Sequence, residues 1–144
     1  LMGAVARDGN GYVNAVVLLD RKGPSGGYAK THLVPFGEYI PPGFSWLFDW
    51  VEIPMTDFAV GPRHQQPLKI GGLIVAPNIC YEDLFGEEII RQLPAATVLL
   101  NFSNTAWFGD SLAQPQHLQI SRMRVSRSCC TCSADRTCCS DLAT

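Results

Sequence analysis

The chain has 144 residues, enough for one domain or a large part of one. Eleven Lys and Arg stand against thirteen Asp and Glu, a net charge of −2, so the basic excess of a nucleic-acid binder is missing. The 47% hydrophobic content excludes disorder for most of the chain, and no uninterrupted apolar run reaches the ~18 residues of a membrane-spanning helix.

Leu1 to Ala6 is an apolar run without the basic start of a signal peptide; it reads as the interior of a strand, so a fragment is expected. Arg7 to Gly11 is a turn, and Tyr12 to Asp20 carries Ala15-Val16-Val17-Leu18-Leu19, which predicts a β-hairpin. Arg21 to Gly27, rich in Gly, Pro and Ser, reads as a loop. Tyr28 to Val34 is extended up to Pro35, because the residue before proline avoids helical angles. Phe44 to Val51 sets Phe44/Phe48 and Trp46/Trp50 four apart, as a short aromatic helix would. Its residues alone favour core packing over a flap that meets lipid.

Ile70 to Ile79 reads as a buried strand, Cys80 to Asp83 as a turn, and Leu84 to Leu93 as a helix with Phe85, Ile89 and Leu93 on one face. Ala95 to Phe102 is another apolar strand, and Gln114 to Val125 a helix. This order predicts an α/β fold. Five of the six cysteines crowd into positions 129–139, without the spacing or nearby His of a zinc site. The chain divides into residues 1–125, a partial catalytic domain, and residues 126–144, a cysteine-rich tail that reads as frame-shifted and disordered.

Cys80, between a buried strand and a helix, is placed where backbone amides can hold an oxyanion and favour a thiolate. A small buried hydrophobe is the competing reading, and position alone leaves the two at parity. Two further strings tip the balance: Tyr28-Ala29-Lys30-Thr31-His32-Leu33-Val34-Pro35-Phe36-Gly37-Glu38 and Asn101-Phe102-Ser103-Asn104-Thr105-Ala106-Trp107-Phe108-Gly109. With Asn78-Ile79-Cys80-Tyr81-Glu82 they resemble the carbon–nitrogen hydrolase (nitrilase) superfamily over Leu1 to Arg124, and most closely its branch that N-acylates bacterial lipoproteins.

The resemblance implies an αββα sandwich, here incomplete, and a Glu–Lys–Cys triad. Cys80 matches the nucleophile and Lys30 the catalytic lysine. Glu38, Tyr81 and Glu82 match supporting residues, and Trp107 part of the substrate pocket. With a membrane lipid as substrate, Trp46 and Trp50 gain weight as a lipid-facing arm. His32, His64 and His117 are left as structural. Thr105 departs from the Asp usual in the family, and the triad glutamate is expected upstream of Leu1.

The implied reaction moves an acyl chain from phospholipid, through a Cys80 thioester, to the N-terminal amine of a diacylglyceryl-cysteine apolipoprotein. It needs no cofactor and no metal, and it belongs at the periplasmic face of the bacterial inner membrane. Two other readings stand beside it: a soluble amidase or carbamoylase with water as acceptor, and a truncated remnant without activity.

Overall fold

The computed structural model describes residues 1–9, 11–44, 46, 58–93, 95–104 and 109–129. Strand β1 (Met2–Asp8) and β2 (Gly11–Asp20) form the expected antiparallel hairpin, in register from Met2 opposite Val17 to Asp8 opposite Gly11. A third strand, β3 (Gly23–Ala29), pairs antiparallel with β2. The sequence reading of Arg21 to Gly27 as a loop is therefore corrected. Gly, Pro and Ser depress strand propensity, but β3 pairs along one side alone in this sheet, where a proline is tolerated. Small residues are also required here: a Cβ on Gly27 would lie 2.9 Å from the Val16 carbonyl oxygen.

The second sheet holds β4 (Leu68–Ile70), β5 (Leu73–Ile79) and β6 (Val98–Phe102) in the order β4-β5-β6. The single strand expected over Ile70 to Ile79 is split by Gly71 and Gly72, whose φ values of 52° and 88° make a tight hairpin turn. β5 and β6 run parallel, joined by a short 3-10 helix (Cys80–Leu84) and helix α1 (Gly86–Gln92). Helix α2 (Ala113–Cys129) closes the described chain; it starts one residue before the expected Gln114 and runs past Val125.

β5 is buried from Val75 to Ile79, so its apolar run shows no alternation. Its two faces serve two layers. Ile79 packs with Val16 and Tyr28 of the first sheet, and Cys80 and Phe102 rest against that cluster. Ala76, on the opposite parity, packs with Leu99 and with Ile89 and Leu93 of the α1 segment. Sheet on sheet with a helix outside is the incomplete α/β sandwich anticipated from sequence. Among the described residues no helix is long and apolar enough to cross a membrane.

Candidate active site

Cys80 stands at the tip of β5, with a backbone φ of 51°. That left-handed conformation is rarely adopted by a residue with a Cβ, and it turns the chain sharply from strand into 3-10 helix. The side-chain amide of Asn101 donates to the Cys80 carbonyl oxygen (3.2 Å) and to Asn78 Oδ1 (2.5 Å), tying β6 to the turn. The sulfur is half-buried against the inter-sheet cluster.

Lys30 follows β3 directly. Its peptide N–H donates to the Asn14 carbonyl (2.8 Å) and its carbonyl accepts from Gly61 (2.8 Å), so its backbone continues the sheet for one residue. The side chain is 1% exposed. Its ammonium donates to both oxygens of Glu38, at 2.9 and 2.7 Å. Glu38 also accepts from Asn14 Nδ2 (2.9 Å) and the Val34 N–H (2.8 Å). Lys30 and Glu38 thus form a buried ion pair with its remaining lone pairs occupied.

Tyr81 meets Phe85 edge to face, centroids 5.3 Å apart. Glu82 is 3% exposed. It accepts from the Tyr28 hydroxyl (3.0 Å), the N–H (2.7 Å) and hydroxyl (2.8 Å) of Thr31, the His32 N–H (3.2 Å) and the Ile79 N–H (2.8 Å). It clamps the lysine-bearing segment to the end of β5. Burial, together with the charge of Glu82, pushes the Tyr28 phenol far above its usual value. His32 stacks on Phe85 with centroids 3.7 Å apart and bonds Glu88 through Nδ1 (2.8 Å); His64 is exposed.

Trp46 is 64% exposed and Phe44 45%, so core packing fails at these two positions. Phe44 meets Phe36 edge to face at 5.5 Å. Trp50 and Trp107 lie outside the described residues, as does most of the helix expected over Phe44 to Val51.

His117 is the residue that sequence reasoning missed. Its ring nitrogens face Ser103 Oγ (2.9 Å) and Ser121 Oγ (3.5 Å), and the ring acts on the ionisation of the Cys80 thiol. Burial opposes ionisation of that thiol, but the His117 ring, the Lys30 and His117 charges and the Tyr81 N–H outweigh it and hold Cys80 below the usual thiol value. The thiol in turn raises His117 against the effect of burial, helped by the charges of Cys80 and Asp83. Only the Gln114-Pro115-Gln116-His117 string could have hinted at this, since Cys80 and His117 lie 37 residues apart in the chain. Among the described residues no group of His, Cys, Asp and Glu is arranged to hold a metal. A thiol at a strand tip whose ionisation a buried ammonium and an imidazole both favour has the chemistry to form a thioester.

Comparison with known proteins agrees. A profile of the carbon-nitrogen hydrolase family matches residues 1–143. The apolipoprotein N-acyltransferase of Nitrosomonas europaea is 56% identical over 117 residues, covering 80% of this chain and 23% of that protein. That of Ralstonia nicotianae is 55% identical over 105 residues (70% and 20%), and that of Chromobacterium violaceum 51% over 120 (81% and 23%). The chain therefore spans about a quarter of the length of these relatives. The crystal structure of a carbon-nitrogen hydrolase from Helicobacter pylori G27 superposes with a TM-score of 0.51 at 19% identity, over 79% of this chain and 37% of that one, a likeness of fold.

Proposed function

The chain belongs to the carbon-nitrogen hydrolase family, and from that premise we propose that it carries the nucleophile and the lysine of an apolipoprotein N-acyltransferase. The observation that carries this reading is a lysine ammonium buried against Glu38 together with a thiol presented in a left-handed turn at the end of β5. Cys80 Sγ attacks the ester carbonyl of a phospholipid. The C–O bond breaks, lysophospholipid leaves, and the acyl chain stays on sulfur as a thioester. The N-terminal amine of a diacylglyceryl-cysteine apolipoprotein then attacks the thioester, the C–S bond breaks, and an amide is formed. Lys30 steadies the negative oxygen that develops on the carbonyl in both steps.

On this reading Trp46, Trp50 and Trp107 are substrate-binding residues, and the site faces the periplasm at the inner membrane. The exposed rings of Phe36, Phe44 and Trp46 support a lipid-facing surface.

The test is a chimaera in which residues 1–124 replace the matching quarter of the Nitrosomonas europaea relative. Incubated with phospholipid, it should gain a hydroxylamine-labile acyl mass on Cys80, and pass it to a diacylglyceryl-cysteine peptide. Cys80→Ser should abolish the adduct, and Lys30→Met should slow its formation by about 10²–10³-fold. A membrane-inserted chimaera that releases free fatty acid and forms no amide would be a hydrolase, and the transfer reading would fall.

A further inference from the structure

The side-chain amide of Asn101 is fully engaged. Its two Nδ2 hydrogens go to the Cys80 carbonyl oxygen (3.2 Å) and to Asn78 Oδ1 (2.5 Å), and its Oδ1 accepts from the Ser103 hydroxyl (2.5 Å). Ser103 has one hydrogen, so toward His117 Nε2, 2.9 Å away, its oxygen can only accept. The ring therefore carries hydrogen on Nε2 and donates it to Ser103. A directed chain runs from the imidazole on α2, through Ser103 and Asn101, to the backbone of Cys80. Asn78, Asn101 and Ser103 are buried, so a broken link leaves a polar group without a partner.

The same helix grips the other flank of the turn. Ser121 donates to Asp83 Oδ2, and Arg124 donates to the carbonyls of Asp83 (2.9 Å) and Leu84 (3.1 Å). Cys80 lies between these two attachments with its φ of 51°, a conformation that persists only where the surroundings over-determine it.

We propose that His117 is a positioning residue: through Ser103 and Asn101 it fixes the Cys80 carbonyl, and with it the left-handed turn that presents the sulfur. This deepens the proposed acyl transfer and rests on that reading for the use of the thiol. The ring moves no proton in this role; it supplies a donor at Nε2. Without that donor the Ser103 hydroxyl loses the partner that holds its rotamer. Asn101 Oδ1 then loses a fixed donor, and the amide no longer holds the Cys80 carbonyl in one place.

The test first reads the NMR resonances of the Asn101 side-chain NH2 group in the 144-residue chain, which needs no acyl substrate. In the parent chain its two hydrogens should be distinct and slow to exchange. In His117→Leu and in Ser103→Ala they should shift and exchange faster. His117→Gln, whose amide can still donate to Ser103, should restore the parent pattern. The Asn14 NH2 group, bonded to Glu38 at 2.9 Å, is the control for folding and should not move. Should His117→Leu fail that control, Ser103→Ala and His117→Gln decide. In the chimaera, His117→Leu and Ser103→Ala should each lower kcat for thioester formation about tenfold at unchanged KM. The double variant should lose no more than either single one, because one chain is broken in both. Asn101 resonances that ignore Ser103→Ala and His117→Leu, or losses that add, would overturn the relay. Resonances that respond as expected beside a chimaera that forms no thioester would count against acyl transfer alone.

Discussion

At position 82 a carboxylate is buried among neutral donors. Five of them converge on it from Tyr28, Thr31, His32 and Ile79, drawn from chain segments that share no strand. Glutamine at this position keeps one carbonyl oxygen and turns an NH2 group toward groups that also donate. Glu82→Gln should therefore cost about 1–3 kcal/mol, because four donors share one oxygen that the amide carbonyl can replace while the Ile79 N–H on the other meets an NH2 group and loses its acceptor. A urea unfolding curve measures this as a lower midpoint at unchanged slope. A midpoint equal to that of the parent chain would show that the clamp contributes nothing. The sequence marked Glu82 as a neighbour of the nucleophile; its burial and its five donors show that it fixes the segment bearing Lys30.

The elements around the site differ in how far they could be read in advance. β5 was legible because Leu73 to Ile79 is apolar nearly throughout and ends at a polar turn. The Gly71-Gly72 punctuation inside the predicted strand was present in the letters, but the apolar residues on either side masked it. β3 was illegible: Pro24, Ser25, Gly26 and Gly27 form a strand only because β2 offers a partner and Val16 leaves no room for a Cβ. The segment at Gly61 makes the same point from the other side. Its N–H bonds the Lys30 carbonyl, and a Cβ there would overlap the carbonyl oxygen of Ala29. Backbone cannot yield as a side-chain tip can. Gly61→Ala should lower stability by about 1–3 kcal/mol and displace the peptide that carries the lysine. Thermal unfolding reads the first effect, and slower alkylation of Cys80 reads the second.

For the whole molecule, the interface between the two sheets determines whether the site exists. Val16 is fully buried there with Tyr28 and Ile79, and Cys80 and Phe102 pack against the same cluster. Val16→Ala removes apolar surface at the centre of this layer and should cost about 2 kcal/mol, measured by urea unfolding. A cost near zero would show that the sheets do not depend on this contact. The α/β class and the Cys80, Lys30 and Glu38 positions were legible because each sits in a short local string. The place of His117 against Ser103 was not, because it is created only when α2 folds back onto the end of β6 and the 3-10 helix. The left-handed turn at position 80 has a cost for folding as well as a use in chemistry. Glycine would occupy that turn without the steric conflict, by a margin of about 1 kcal/mol. The protein is thus held slightly below the robustness its architecture could reach, and part of the deficit falls on the residue proposed as its nucleophile.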